Sequence, residues 1–127
     1  MLIKKIKTEK APAPIGPYSQ ATEINGLIFT SGQIAIDPQS NKLIDGPVSE
    51  QARQVFENIK AVLEAAQSSL DLVVKTTIFL KNMNDFGVVN GIYENYFGKA
   101  LPARTTVEVS RLPKDVMIEV DCIAIKK

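Results

Sequence analysis

The sequence predicts an α+β domain, with one mixed β-sheet and two helices packed on a single face. Two segments carry apolar residues at helical spacing, and six others are rich in β-branched or alternating residues. The two kinds follow one another in the order β, β, β, α, β, α, β, β. A chain of 127 residues buries about two thirds of its unfolded surface around one core, so residues 1–127 read as one domain. Two helices and one sheet in so short a chain place both helices on the same face and leave the other needing a cover.

The elements follow in order. Leu2 to Ile6 alternates and suits an edge strand, whereas the segment from Ala11 to Pro17 holds three prolines, lacks amide donors and reads as a loop. Tyr18 to Ile24 and Leu27 to Gly32 flank Asn25-Gly26, a pair that suits the type I′ turn of a β-hairpin. From Ser49 to Gln67 the residues Ala52, Val55, Phe56, Ile59, Val62, Leu63 and Ala66 share a helical face, with Ser49 available as N-cap. Leu72 to Leu80 is a Val/Thr/Ile-rich strand. A second helix carries Phe86, Val89, Tyr93, Tyr96 and Phe97 and ends near Gly98. Gly87 and Gly91 each cost that helix about 1 kcal/mol relative to Ala, so tertiary packing must hold it. Two alternating strands, from Pro102 to Val109 and from Val116 to Ile125, are joined by a Pro-containing turn.

Composition excludes several chemistries. The chain has 15 basic and 14 acidic residues, a net charge of +1 and no basic stripe, which argues against nucleic acid as the main partner. No apolar run approaches the ~20 residues of a membrane span, and residues 1–7 have no signal-like apolar core, so a cytoplasmic protein is expected. The absence of His removes the commonest general base and metal ligand, and no GxGxxG or GxxxxGK[ST] motif is present. Catalysis would fall to carboxylates, arginine, hydroxyls, backbone amides and water, with no metal. The single Cys122 forbids an internal disulfide and alternates with Ile118, Val120 and Ala124 as a small core residue.

Arg104 and Glu119 stand inside the last two strands, where β-branched and apolar residues are usual. Arg104, Thr106 and Glu108 share one side of their strand. Met117, Glu119, Asp121, Ile123 and Ile125 share one side of the next. A face mixing these charges with Met and Ile is poorly suited to open water, which predicts a homo-oligomer in which sheet faces meet. By spacing alone, Arg104 and Glu119 read equally as a buried ion pair or as functional groups.

Four segments carry a family resemblance: residues 13–21 (Ala-Pro-Ile-Gly-Pro-Tyr-Ser-Gln-Ala), 29–34 (Phe-Thr-Ser-Gly-Gln-Ile), 73–77 (Val-Val-Lys-Thr-Thr), and Pro102-Ala103-Arg104 through Ile118-Glu119-Val120. Together they resemble the RidA (YjgF/YER057c/UK114) family. The resemblance implies a chorismate-mutase-like homotrimer with clefts between subunits. It also implies a cofactor-independent deaminase hydrolysing 2-iminobutanoate and 2-iminopropanoate, released by PLP-dependent dehydratases, to 2-oxo acids and ammonia. On this resemblance Arg104 grips the substrate carboxylate, and Glu119 positions and activates water. Tyr18, Ser31 and Gly32 contact the ligand, and Asn90 lines the cleft from a neighbouring subunit. Thr106 stands where many deaminating members have cysteine. Because that position is used largely through its backbone, activity is expected to survive, without any thiol-linked regulation. Two other readings are a non-catalytic trimer binding a 2-oxo acid and an RNA-cleaving inhibitor of translation; the missing His and basic stripe count against the latter.

Overall fold

The structure is a computed structural model that describes residues 2–127; Met1, the first residue of the expected domain, lies outside the described residues. Strands β1 (Lys4–Ile6), β2 (Ala21–Ile24) and β3 (Leu27–Thr30) form an antiparallel meander. Asn25 and Gly26 turn β2 into β3 with φ of 52° and 79°, the left-handed pair that a type I′ turn requires. A small separate hairpin of β4 (Ile36–Asp37) and β5 (Lys42–Leu43) follows. Then come α1 (Val48–Ala65), β6 (Val73–Leu80), α2 (Phe86–Phe97), β7 (Ala103–Glu108) and β8 (Ile118–Ile125).

The main sheet has six strands in the order β1-β2-β3-β8-β6-β7. All neighbours are antiparallel except β6 and β7, which run parallel because α2 carries the chain back across the face. Both helices cover the face formed by Ile28, Ile78, Leu80, Ile118, Val120, Cys122 and Ala124, all buried. Helix α1 contributes Val55, Phe56, Ile59, Val62 and Leu63, which no water reaches. At roughly 2 kcal/mol for each such side chain, this stripe outweighs any propensity term in the helix. Phe56 meets Phe97 and Tyr93 edge to face, with centroids 5.5 and 5.9 Å apart, and so joins α1 to α2.

Two expectations need correction. Helix α1 begins after Pro47, whose carbonyl accepts from the amides of Glu50 and Gln51, so Ser49 lies inside the first turn and is not the N-cap. At the other end Gln67 takes φ 61°, with Ser68 N bonded to Leu63 O and Gln67 N to Glu64 O, a Schellman closure. The second correction concerns faces. Arg104 pairs with Thr76, which is buried under α2, whereas Glu119 pairs with Phe79 on the opposite face. The two charges therefore do not share a face, and they are not an ion pair.

Candidate functional site

The first cleft lies at the open face, beside β8. The segment Ser31 to Gln33 continues past β3 and is held on β8 by reciprocal backbone bonds, Gln33 N to Val120 O at 2.8 Å and Val120 N to Gln33 O at 3.2 Å. This lays Gly32 against Glu119 so closely that a Cβ there would overlap the Glu119 carboxylate. The missing side chain is what makes room for the glutamate. A cleft of about 360 Å³ opens in front of it, lined by Pro12, Ala13, Ile15, Tyr18, Gln20, Ser31, Gly32, Gln33, Ile34, Ile36, Pro113 and Glu119.

The cleft walls are tied down individually. Gln20, 2% exposed, accepts from Thr8 N and donates to the carbonyls of Thr8, Ala11 and Pro12, fixing the proline-rich loop with one side chain. Ile15 N donates to the Tyr18 hydroxyl at 3.2 Å, and Ser31 Oγ donates to the Ser19 carbonyl. On the far wall, Leu112 and Val116 anchor the turn that carries Pro113 into a small second core with Ile34 and Ile36. Tyr18, Ser31, Gly32 and Glu119 are thus brought together.

Burial pushes the Glu119 carboxyl above the ordinary carboxylate range, and the neighbouring Asp121 charge adds to the shift. Burial raises Asp121 also, with Lys75 opposing. A niche that shifts a carboxyl toward its protonated form makes it a stronger base than an ordinary carboxylate, suited to take and return a proton. Cys122, on the helix side, is buried beneath the sheet and its thiol is pushed up to about 12.

Arg104, Asn90 and Thr106 gather elsewhere. Arg104 projects from β7 toward α2 and bounds a second cavity of about 450 Å³ with Asn90, Tyr93, Glu94, Phe97 and Leu101. Its Nη1 donates to Asn90 Oδ1 at 2.7 Å, and its guanidinium carbon lies 4.8 Å from the Tyr93 ring centroid and 5.3 Å from that of Phe86. Among the described residues no carboxylate ion-pairs with Arg104. Thr106, two residues along the same side of β7, has a buried Oγ1 without a hydrogen-bond partner. Sequence reasoning placed Phe86 and Tyr93 only in the helix core. Their spacing from Asn90, at positions i, i+4 and i+7, was the signal that all three face the same strand.

Within one chain the two groups cannot meet. From Arg104 the register leads through Thr76 to Cys122, three residues from Glu119. Two strand spacings and three residues amount to about 14 Å, on opposite faces of the sheet. Among the described residues no cluster of three or more His, Cys, Asp or Glu could hold a metal, and no helix is long and apolar enough to cross a membrane.

Six strands beneath two helices, with an arginine lacking an acidic partner on one face and a protonatable glutamate on the other, define a class of small α+β domain. The chain belongs to the YjgF/RidA family: residues 8–126 match the family model described as Endoribonuclease L-PSP. It is 56% identical to a RutC family protein of Pyrococcus abyssi over 96% of both chains. It is 49% identical to a 2-iminobutanoate/2-iminopropanoate deaminase of Salmonella typhimurium over 98% of both. Among solved structures, Escherichia coli TdcF with bound serine superposes with a TM-score of 0.92 at 40% identity, covering 98% of this chain and 99% of that one.

Proposed function

We propose that this chain hydrolyses short 2-imino acids, such as 2-iminobutanoate and 2-iminopropanoate, to 2-oxo acids and ammonia, in clefts between the subunits of a homotrimer. The observation that carries the reading is Arg104, a guanidinium held by Asn90 and two rings yet ion-paired with no carboxylate among the described residues of its own chain. A planar fork in that state is a receptor for a small carboxylate, which it can bind through two parallel hydrogen bonds. The serine held by the TdcF relative, itself a compact α-carboxylate, supports the same ligand chemistry.

In the proposed reaction Arg104 fixes the substrate carboxylate and directs the C=N carbon toward Glu119 of another subunit. Glu119 takes a proton from water as the oxygen adds to that carbon, giving a tetrahedral aminoalcohol. With the imine entering protonated, the same carboxyl returns that proton to the aminoalcohol nitrogen, the C–N bond breaks, ammonia leaves, and Glu119 takes the hydroxyl proton as the C=O bond of the 2-oxo acid forms. Ser31, Tyr18, Asn90 and the buried Thr106 hydroxyl are the polar contacts available to orient the ligand. Such imines hydrolyse unaided in water, so positioning and one managed proton transfer suffice for a useful rate.

The geometry supports assembly. Arg104 and Glu119 point to opposite sides of one sheet, so a complete site requires two copies. The open face carries Leu27, Phe29 and Ile125, exposed by 40, 39 and 41%, which a partner sheet would cover. An RNA-cleaving role fits this cleft less well, since no Lys or Arg lines it to pair with a phosphodiester backbone.

The test generates the two imines in situ with an amino-acid oxidase and traps them with semicarbazide. The protein should divert them to 2-oxo acid, and Arg104→Ala should not. Binding of 2-oxobutanoate without imine turnover would replace the enzyme by a metabolite-binding trimer, a reading that the serine-bound relative favours.

A further inference from the structure

Arginine side chains are long and rotate freely, so an exposed guanidinium needs outside constraint before it can act as a fixed receptor. Here the constraint comes from one face of α2. Phe86 and Tyr93 lie two helical turns apart, with Asn90 between them, and both rings stand within 5.3 Å of the Arg104 guanidinium carbon. Tyr93 is itself held. Its hydroxyl shares a buried 2.8 Å hydrogen bond with Thr76 Oγ1, and its ring packs on Phe97 at 4.6 Å and edge-on to Phe56. Thr76 is fully buried and is the strand partner of Arg104, so strand, ring and guanidinium form one closed stack.

We propose that Phe86 and Tyr93, the latter anchored on Thr76, are positioning residues that aim the Arg104 guanidinium at its carboxylate ligand. The aromatic faces hold the flat ion by cation–π attraction. Asn90 accepts from Nη1, which leaves the remaining N–H donors of the fork for the ligand. The Tyr93 hydroxyl does not reach the ligand in this scheme; it fixes the ring. A hydroxyl left unpaired at that buried position would loosen the ring and, with it, the arginine. The inference rests on the reading of Arg104 as a carboxylate receptor.

The experiment measures binding of 2-oxobutanoate and of its methyl ester by calorimetry to the full-length protein, with imine turnover alongside. The acid-over-ester preference isolates the arginine from general effects on the cleft. Phe86→Leu and Tyr93→Leu should each weaken the acid by about 5- to 30-fold, the range expected for losing one partly desolvated cation–π contact. They should leave the ester nearly unchanged and raise KM more than they lower kcat. Tyr93→Phe, which keeps the ring, should restore most of the preference, and Thr76→Val should lose part of it.

Phe86 is only partly buried, so its variant remains informative if Tyr93→Leu, which touches the core, fails to fold. A wild-type preference that survives undiminished in folded Phe86→Leu would overturn the proposal alone. Absence of any acid-over-ester preference in the wild type would overturn it together with the reading on which it rests.

Discussion

Gly32→Ala should separate activity from stability. The added Cβ would coincide with the Glu119 carboxylate and come within 3.1 Å of its Cγ, so the side chain must swing out of its niche. The atoms displaced are the far end of a flexible chain. Their relocation costs about 0.5 to 1.5 kcal/mol if an unfavourable rotamer results, and replacing glycine returns about 0.4 to 1 kcal/mol by restricting the unfolded chain. The net change should stay within about 1 kcal/mol, or about 4 °C in Tm. Activity should respond differently. A carboxyl turned away from the reacting atoms forfeits its general acid–base contribution, roughly 100- to 10,000-fold in kcat/KM, or about 3 to 5 kcal/mol. Thermal melts read by circular dichroism and semicarbazide-trapping kinetics measure the two quantities on one preparation. A kcat/KM within about threefold of wild type would refute the role of this niche. A melt lowered by more than about 8 °C would refute the claim that only a side chain end has to move.

Other perturbations test the neighbouring parts. Arg104→Lys keeps the charge and loses the fork, so kcat/KM should fall by about 10- to 100-fold, mostly through KM; equal kinetics would refute bidentate capture. The acid limb of the pH profile of kcat/KM should lie above the ordinary carboxylate range, and Asp121→Asn should move it down by removing the second cause of the Glu119 shift. Glu119 and Asp121 are both raised in the folded state. Their contribution to stability is therefore fully present below the unfolded carboxylate range and is lost as pH rises through the folded values. Melts of Glu119→Gln should show a smaller decline than wild type as pH rises above the unfolded carboxylate range, and an unchanged decline would count against the buried niche. Gln20→Ala removes four hydrogen bonds from the proline-rich loop. It should lower stability by about 3 kcal/mol and Tm by about 10 °C, and an unaltered melt would show that the loop is held otherwise.

Local rules made much of the fold legible. The Asn25-Gly26 turn, the apolar stripe of α1 and the stop of α2 at Gly98 each depend on residues within a few positions, and the structure carries them. The start of α1 was misread because a serine is the commoner cap, whereas Pro47 fixes its own φ and presents its carbonyl two residues earlier. The β4–β5 hairpin was missed because two paired residues on each side of a Pro38 turn offer too little alternation to detect. Buried Asn58 shows the same limit. Its amide donates to the carbonyls of Ile34 and Ile36, a contact no periodicity reveals. The candidate site was legible as a set of residues and not as an arrangement. Alternation shows which residues share a side within one strand, but relating β7 to β8 requires knowing that β6 lies between them, parallel to one and antiparallel to the other.

That strand order also governs how the chain can fold as it is made. Strand β8 follows the other strands in sequence, yet it lies between β3 and β6 and joins the β1–β3 meander to the β6–β7 pair. Until it arrives, the nascent chain holds two sheet fragments with unpaired inner edges and a helical layer lacking Ile118, Val120, Cys122 and Ala124 beneath it. Pairing β3 with β8 closes a loop of about three quarters of the chain, from Leu27 to Ile125, and such long-range closure makes for slow folding. Completion of the sheet therefore waits on β8, and before it pairs the facing edges of β3 and β6 are open to wrong partners.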